Sequence, residues 1–292
     1  MKKILGIIFI VFLFNCSSDD AIVADKIFEG DVTLKTQKEV DDFGAKKITQ
    51  VNGVLTIGGD ELEATNILEL KSLKNLKSAS SILLIFNDEL SSLMGLENLV
   101  EVENSITISQ NENIESIEAL ANMTTSGQVI ISGNPKLVSL KGLEKISEAA
   151  VISIRHNVTL MNLEGLNGVV NLSSSLNVID NYNLKSLNGL TNLKSTQWLH
   201  IVGNAIENLN GLEGLEEVDN LFIERNNSCL NLNGLSNLTS IKERLVVNEN
   251  LVLSSFCGLK LQAIVNYNGN YLVSSNAYNP TLQNLKEEEC EL

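Results

Sequence analysis

The sequence predicts a mainly β fold: a right-handed solenoid of about ten repeats that share one long parallel sheet. Three observations carry this reading. Leu and Asn dominate, with 46 and 37 of 292 residues, while Pro occurs twice and Trp once. An anchor residue, almost always Asn, returns about every 23 residues, at Asp60, Asn87, Asn111, Asn134, Asn157, Asn181, Asn204, Asn226, Asn250 and Asn270. A short alternating apolar stretch precedes each anchor, and Leu-x-x-Leu-x-Gly-Leu-x-x-Leu follows it. One such strand cannot bury its apolar face alone, but stacked copies can.

The first element is an address. Lys2 and Lys3 precede an apolar run from Ile4 to Phe14. That run is too short to span a bilayer and suits a secretory signal over residues 1–15. Cys16 follows, then Ser17-Ser18-Asp19-Asp20. This resembles a bacterial lipoprotein signal of the Bacteroidetes type. The resemblance implies that Cys16 is lipidated, that residues 16–27 form a flexible tether, and that the chain is anchored to the outer membrane facing the exterior. Multiple acyl chains would make that anchor stable.

Residues 28–52 read as an N-terminal cap, with a strand over Asp31–Lys35. Thr36-Gln37-Lys38-Glu39 has capping-box spacing and should start a short helix running through Phe43. The solenoid proper is expected over 53–274. Its Asn should turn the chain after each strand and bond to backbone of its own turn and of the next coil, forming a ladder of stacked amides. A column of Gly95, Gly142, Gly165, Gly189, Gly211, Gly234 and Gly258, with Ala119 once, marks a tight backbone position. Residues 275–292 leave the repeat and read as a C-terminal cap. Export leads to an oxidising compartment, so Cys257 and Cys290 are expected to form a disulfide pinning that cap. Cys229 falls in a Leu column and reads as a buried thiol.

Leu90–Leu99, Leu137–Ile146, Leu184–Leu193 and Leu230–Leu238 together resemble the leucine-rich repeat superfamily, closest to its receptor L-domain-like branch. The resemblance covers roughly residues 50–285. It implies a solenoid that binds something, and it names no ligand.

The net charge of −15 argues against nucleic acid as a partner. The chain has no P-loop, no Gly-x-Gly-x-x-Gly, no His-Glu-x-x-His and no Cys-x-x-Cys. Its two His, His156 and His200, belong to no recognisable triad. No metal or cofactor is expected. Asp180, Glu224 and Glu249 occupy outward strand-end positions at unequal offsets, which is a poor start for paired-carboxylate chemistry.

Strand alternation points a second set of residues away from the core. It places Trp198, His200, Phe222 and Arg244 on the outward face of late repeats, with Arg155, His156 and Asp180 nearby. Aromatics mixed with polar groups suit a protein or polysaccharide ligand. Leu83, Ile85 and Phe86 form an earlier apolar cluster; either group could instead pack only on itself. The expectation is a monomeric, non-catalytic, surface-exposed lipoprotein that captures a macromolecular ligand or mediates adhesion. The alternatives are a structural or assembly component of the outer envelope, and a polysaccharide-active parallel β-helix enzyme.

Overall fold

The computed structural model describes residues 25–60, 65–125 and 127–292. The signal segment and Cys16 lie outside the described residues. The remainder is a mainly β solenoid built on one parallel sheet of 12 strands.

The chain enters through β1 (Ile27–Glu29) and β2 (Val32–Leu34), which both pair with β3 (Gln50–Gly58). The helix between them, α1 (Gln37–Ala45), starts at Thr36 with both bonds of a capping box. It buries Val40 and Phe43 against the first coil, so the apolar end of the stack is covered.

Strands then follow once per coil: β4 (Ser78–Ile85), β5 (Glu101–Ser109), β6 (Gln128–Ser132), β7 (Glu148–Arg155), β8 (Asn171–Ile179), β9 (Ser195–Val202), β10 (Glu217–Glu224), β11 (Ser240–Asn248) and β12 (Asn270–Ser274). Each pairs in parallel with its sequence neighbours, so the spatial order follows the chain order. With strands about 4.8 Å apart, the sheet runs for roughly 50 Å. The inward columns are aliphatic along nearly the whole stack, for example Ile82, Ile106, Val129, Ile152, Leu176, Leu199, Leu221 and Leu245, all buried. Behind the sheet, Leu90, Leu93, Leu96 and Leu99 show how one coil fills the interior. Truncating one such Leu to Ala would cost about 2–5 kcal/mol.

The Asn ladder is continuous from Asn87 to Asn250. At each rung the backbone N–H and Nδ2 donate to Oδ1 of the next Asn: Asn157 to Asn181 at 3.0 and 3.5 Å, for instance. Nδ2 of Asn157 also reaches the carbonyls of Ile131 in the previous coil and Arg155 in its own, both at 2.9 Å. The buried amides are thus paired to neighbours above and below, and the desolvation penalty of on the order of 1–3 kcal/mol per unpaired group is avoided. Thr65 closes the first end with its hydroxyl against Asn87.

Asn270 is not part of this row. It is exposed at the start of β12, paired with Arg244. Its place is taken by Asn276, which accepts from Asn250 and donates to Val247 O at 2.9 Å. Asn276 ends the ladder on Asn279. The final turn is longer than the others, and Asn270 falls where the shorter period would have put the anchor. The ladder therefore runs past the expected cap boundary at residue 275.

The residue before each ladder Asn is left-handed. Phe86, Gln110, His156, Asp180, Arg225, Glu249 and Ser275 have φ between 53° and 58°, and Gly133 and Gly203 have 65° and 68°. This conformation is unfavourable for a side-chain-bearing residue. It swings the Asn inward, where the ladder bonds offset the strain. The Gly column has a different cause. A Cβ on Gly165 would stand 2.1 Å from the Leu140 carbonyl oxygen of the coil below, and Gly95 is equally close to Leu70. Ala119 takes this place in the coil whose 3-10 turn spans Glu118–Leu120.

At the far end lie the short helices α2 (Leu261–Ile264) and α3 (Leu282–Lys286). Cys257 and Cys290 are disulfide-bonded, 33 residues apart in sequence. The Phe256 N–H donates to the Cys290 carbonyl at 2.7 Å, and Tyr271 donates to the Pro280 carbonyl. Cys229 is a buried free thiol whose pKa is pushed up to about 12 by desolvation. That makes it inert rather than nucleophilic.

Candidate functional site: the outward sheet face

Three columns of side chains point away from the core. The first runs Val151, Ser175, Trp198, Asn220, Arg244 over β7 to β11; the second runs Ser153, Asn177, His200, Phe222, Val246. The third runs Arg155, Ile179, Val202, Glu224, Asn248. Parallel register brings each residue beside its counterpart one strand away, so like columns stack along the sheet.

This stacking assembles the aromatic group. His200 and Phe222 are register partners, with ring centroids 4.6 Å apart and planes at 22°. Trp198 stands 6.0 Å from each, at 9° to His200 and 13° to Phe222. The Arg244 guanidinium lies over the Trp198 ring, 5.8 Å from its centroid. Each aromatic pair contributes about 0.5–1.5 kcal/mol beyond area burial, and the cation–π contact about as much. The rings are half-buried, so their edges still face solvent.

Burial, reinforced by the positive charge of Arg155, holds the His200 imidazole below its usual pKa. It is therefore neutral at pH 7, able to donate from one nitrogen and accept at the other. Among the described residues, its Nδ1 is buried without a hydrogen-bond partner, and so are Arg155 Nε, Asn220 Oδ1 and Asn248 Oδ1. All four atoms belong to the same outward face, across β7 to β11. Buried polar atoms are normally paired, and exceptions mark strain, function or a missing partner.

The other expected residues are placed differently. His156 is exposed at the left-handed turn beyond β7, away from the aromatic stack. Asp180 holds the equivalent turn beyond β8 and pairs with Arg225 at 3.8 Å. With Tyr182, Asn227 and Ser228 they line a shallow recess of about 370 Å³ on the turn edge. Phe86 occupies the corresponding turn of β4, and Leu83 and Ile85 point outward beside Thr107 and Ser109. Burial holds the Glu224 carboxyl above its usual pKa, although Arg225 opposes that.

Sequence reasoning singled out neither Asn220 nor Asn248 as a site residue. Their strand offsets made them findable: Asn220 shares the Trp198 column, and Asn248 shares that of Arg155. In a chain with 37 Asn, no single one stands out. Among the described residues, no group of three or more His, Cys, Asp or Glu is arranged to hold a metal ion, and no helix is long and apolar enough to cross a membrane. No family model matches the chain, and a search of curated proteins finds no match either.

Proposed function

We propose that this protein is a binding module of the receptor L-domain-like leucine-rich repeat kind, tethered by a lipid on Cys16 to the exterior of the outer membrane. Its outward sheet face from β7 to β11 captures a macromolecular ligand without chemical turnover. One observation carries this reading: the stack of Trp198, His200 and Phe222 under Arg244 lies on a face with four buried polar atoms, His200 Nδ1 among them, that are unpaired among the described residues. Interface anchors of this kind combine aromatic area with Arg, in a setting where the partner completes the hydrogen bonds.

The test is a glycan array and an extracellular-protein array probed with the full chain, wild type and Trp198→Ala/Phe222→Ala. A captured ligand should be lost by at least 100-fold in the double variant. Equal capture by both proteins would reject the face as the site.

A further inference from the structure

Resting on that reading, we propose that the face from β7 to β11 binds an acidic polysaccharide. Uronate carboxylates would pair with Arg155 and Arg244, and sugar hydroxyls would donate to Asn220 and Asn248.

The distribution of rare residues is the first argument. The chain has only three Arg, Arg155, Arg225 and Arg244, among 21 basic residues, and two His and one Trp. All six fall on β7 to β11 or at their turns. Guanidinium is the cation that matches a planar carboxylate with two parallel N–H bonds, whereas Lys offers a point charge. Elsewhere the chain uses Lys alone. Arg225 is engaged by Asp180. Among the described residues, Arg155 and Arg244 have no carboxylate within ion-pairing distance, despite the excess of acids over bases in the chain.

The second argument is the sense of the unpaired atoms. Asn220 is 1% exposed; its Nδ2 donates to Glu243 at 3.1 Å, while its Oδ1 has no donor. Asn248 Oδ1 is in the same position. Both are open to an O–H or N–H from outside, Arg155 Nε is open to an acceptor, and the exposed Arg244 guanidinium is free to pair with a carboxylate. Acidic side chains supply acceptors only. A uronate polymer carries a carboxylate and several hydroxyls on each sugar, so it satisfies both needs at short intervals.

The third argument is shape. Arg155, His200, Asn220 and Arg244 cross the sheet diagonally from the third outward column to the first. From β7 to β11 that strip spans roughly 19 Å. It is open and elongated, as an extended polymer needs.

The experiment measures binding of the full chain in detergent micelles to polygalacturonate, with dextran as the neutral polymer and polyglutamate as the acidic peptide. Polygalacturonate should bind, and the other two should not. Arg155→Gln/Arg244→Gln should weaken binding at least 10-fold with unchanged melting, and Arg225→Gln should leave it unchanged. Should the double variant misfold, Arg244→Gln alone, at an exposed position, should still weaken binding at least threefold. Failure to bind polygalacturonate, indifference to both Arg substitutions, or equal binding of polyglutamate overturns the inference. Dextran or polyglutamate binding that Trp198→Ala/Phe222→Ala removes would preserve the face as a binding surface and reject only the acidic glycan.

Discussion

The Asn ladder and the outward sheet face are built from the same side-chain amide, in the same coils, to opposite ends. Along the ladder one residue type repeats, and its donors and acceptors are met by neighbouring coils. On the face the residue types change from coil to coil, and Asn220 and Asn248 keep buried oxygens unpaired. Repetition satisfied from within stabilises the stack. Its interruption leaves polar atoms open on the surface where we propose that a ligand binds.

The largest effect should come from breaking the ladder in mid-stack. Asn157→Ala removes the Oδ1 that accepts from the backbone N–H and Nδ2 of Asn134, and the Nδ2 that donates to Asn181 and two carbonyls. Several buried groups lose partners at about 1–3 kcal/mol each, so thermal melting should show a loss of about 3–5 kcal/mol. Asn270→Ala, outside the row, should stay within about 0.5 kcal/mol. Similar losses from both would place Asn270 back in the ladder.

Next comes the C-terminal staple. Closing a loop over 33 residues contributes about 3–4 kcal/mol by chain-entropy reasoning. Reduction, or Cys257→Ser, should lower the denaturant midpoint. Hydrogen exchange should quicken first at β12 and α3, because in a stack each coil leans only on its neighbours. Uniform acceleration along the chain would contradict that.

Gly165→Ala should cost about 2–3 kcal/mol by calorimetry. It meets the Leu140 carbonyl and has a φ of +114°. The reverse change, Ala119→Gly, should cost no more than about 1 kcal/mol.

The smallest effect is on titration. The folded-state pKa of His200 is depressed, so the folded protein takes up its proton less readily than the unfolded chain. The stability this group contributes is complete above the ordinary histidine value and falls as the pH drops below it. NMR should show His200 titrating below 6.5; a midpoint at or above that value would contradict the buried setting.

The stack was legible in the sequence because its rules repeat. Asn87 to Asn250 and the Gly column each recur often enough to fix a register. Asn270 misled because Asn268-Gly269-Asn270 sits where a shorter period would end, while the last coil stretches to Asn276. The left-handed column was invisible because Phe86, Gln110, His156, Asp180, Arg225, Glu249 and Ser275 share no chemistry. Only Gly133 and Gly203 hinted at it. Alternation found the aromatic group, since it needs only a period of two. It could not show which polar atoms are shut off from water, because that depends on packing between coils.

The claim that repeats support and their exceptions bind is tested most directly by melting and ligand capture, measured on the same two proteins. Trp198→Ala/Phe222→Ala should melt within a few degrees of wild type and fail to capture ligand, while Asn157→Ala should melt far lower. If the aromatic variant instead melts as low as the ladder variant and still captures ligand, the ring stack is part of the scaffold and the binding surface lies elsewhere.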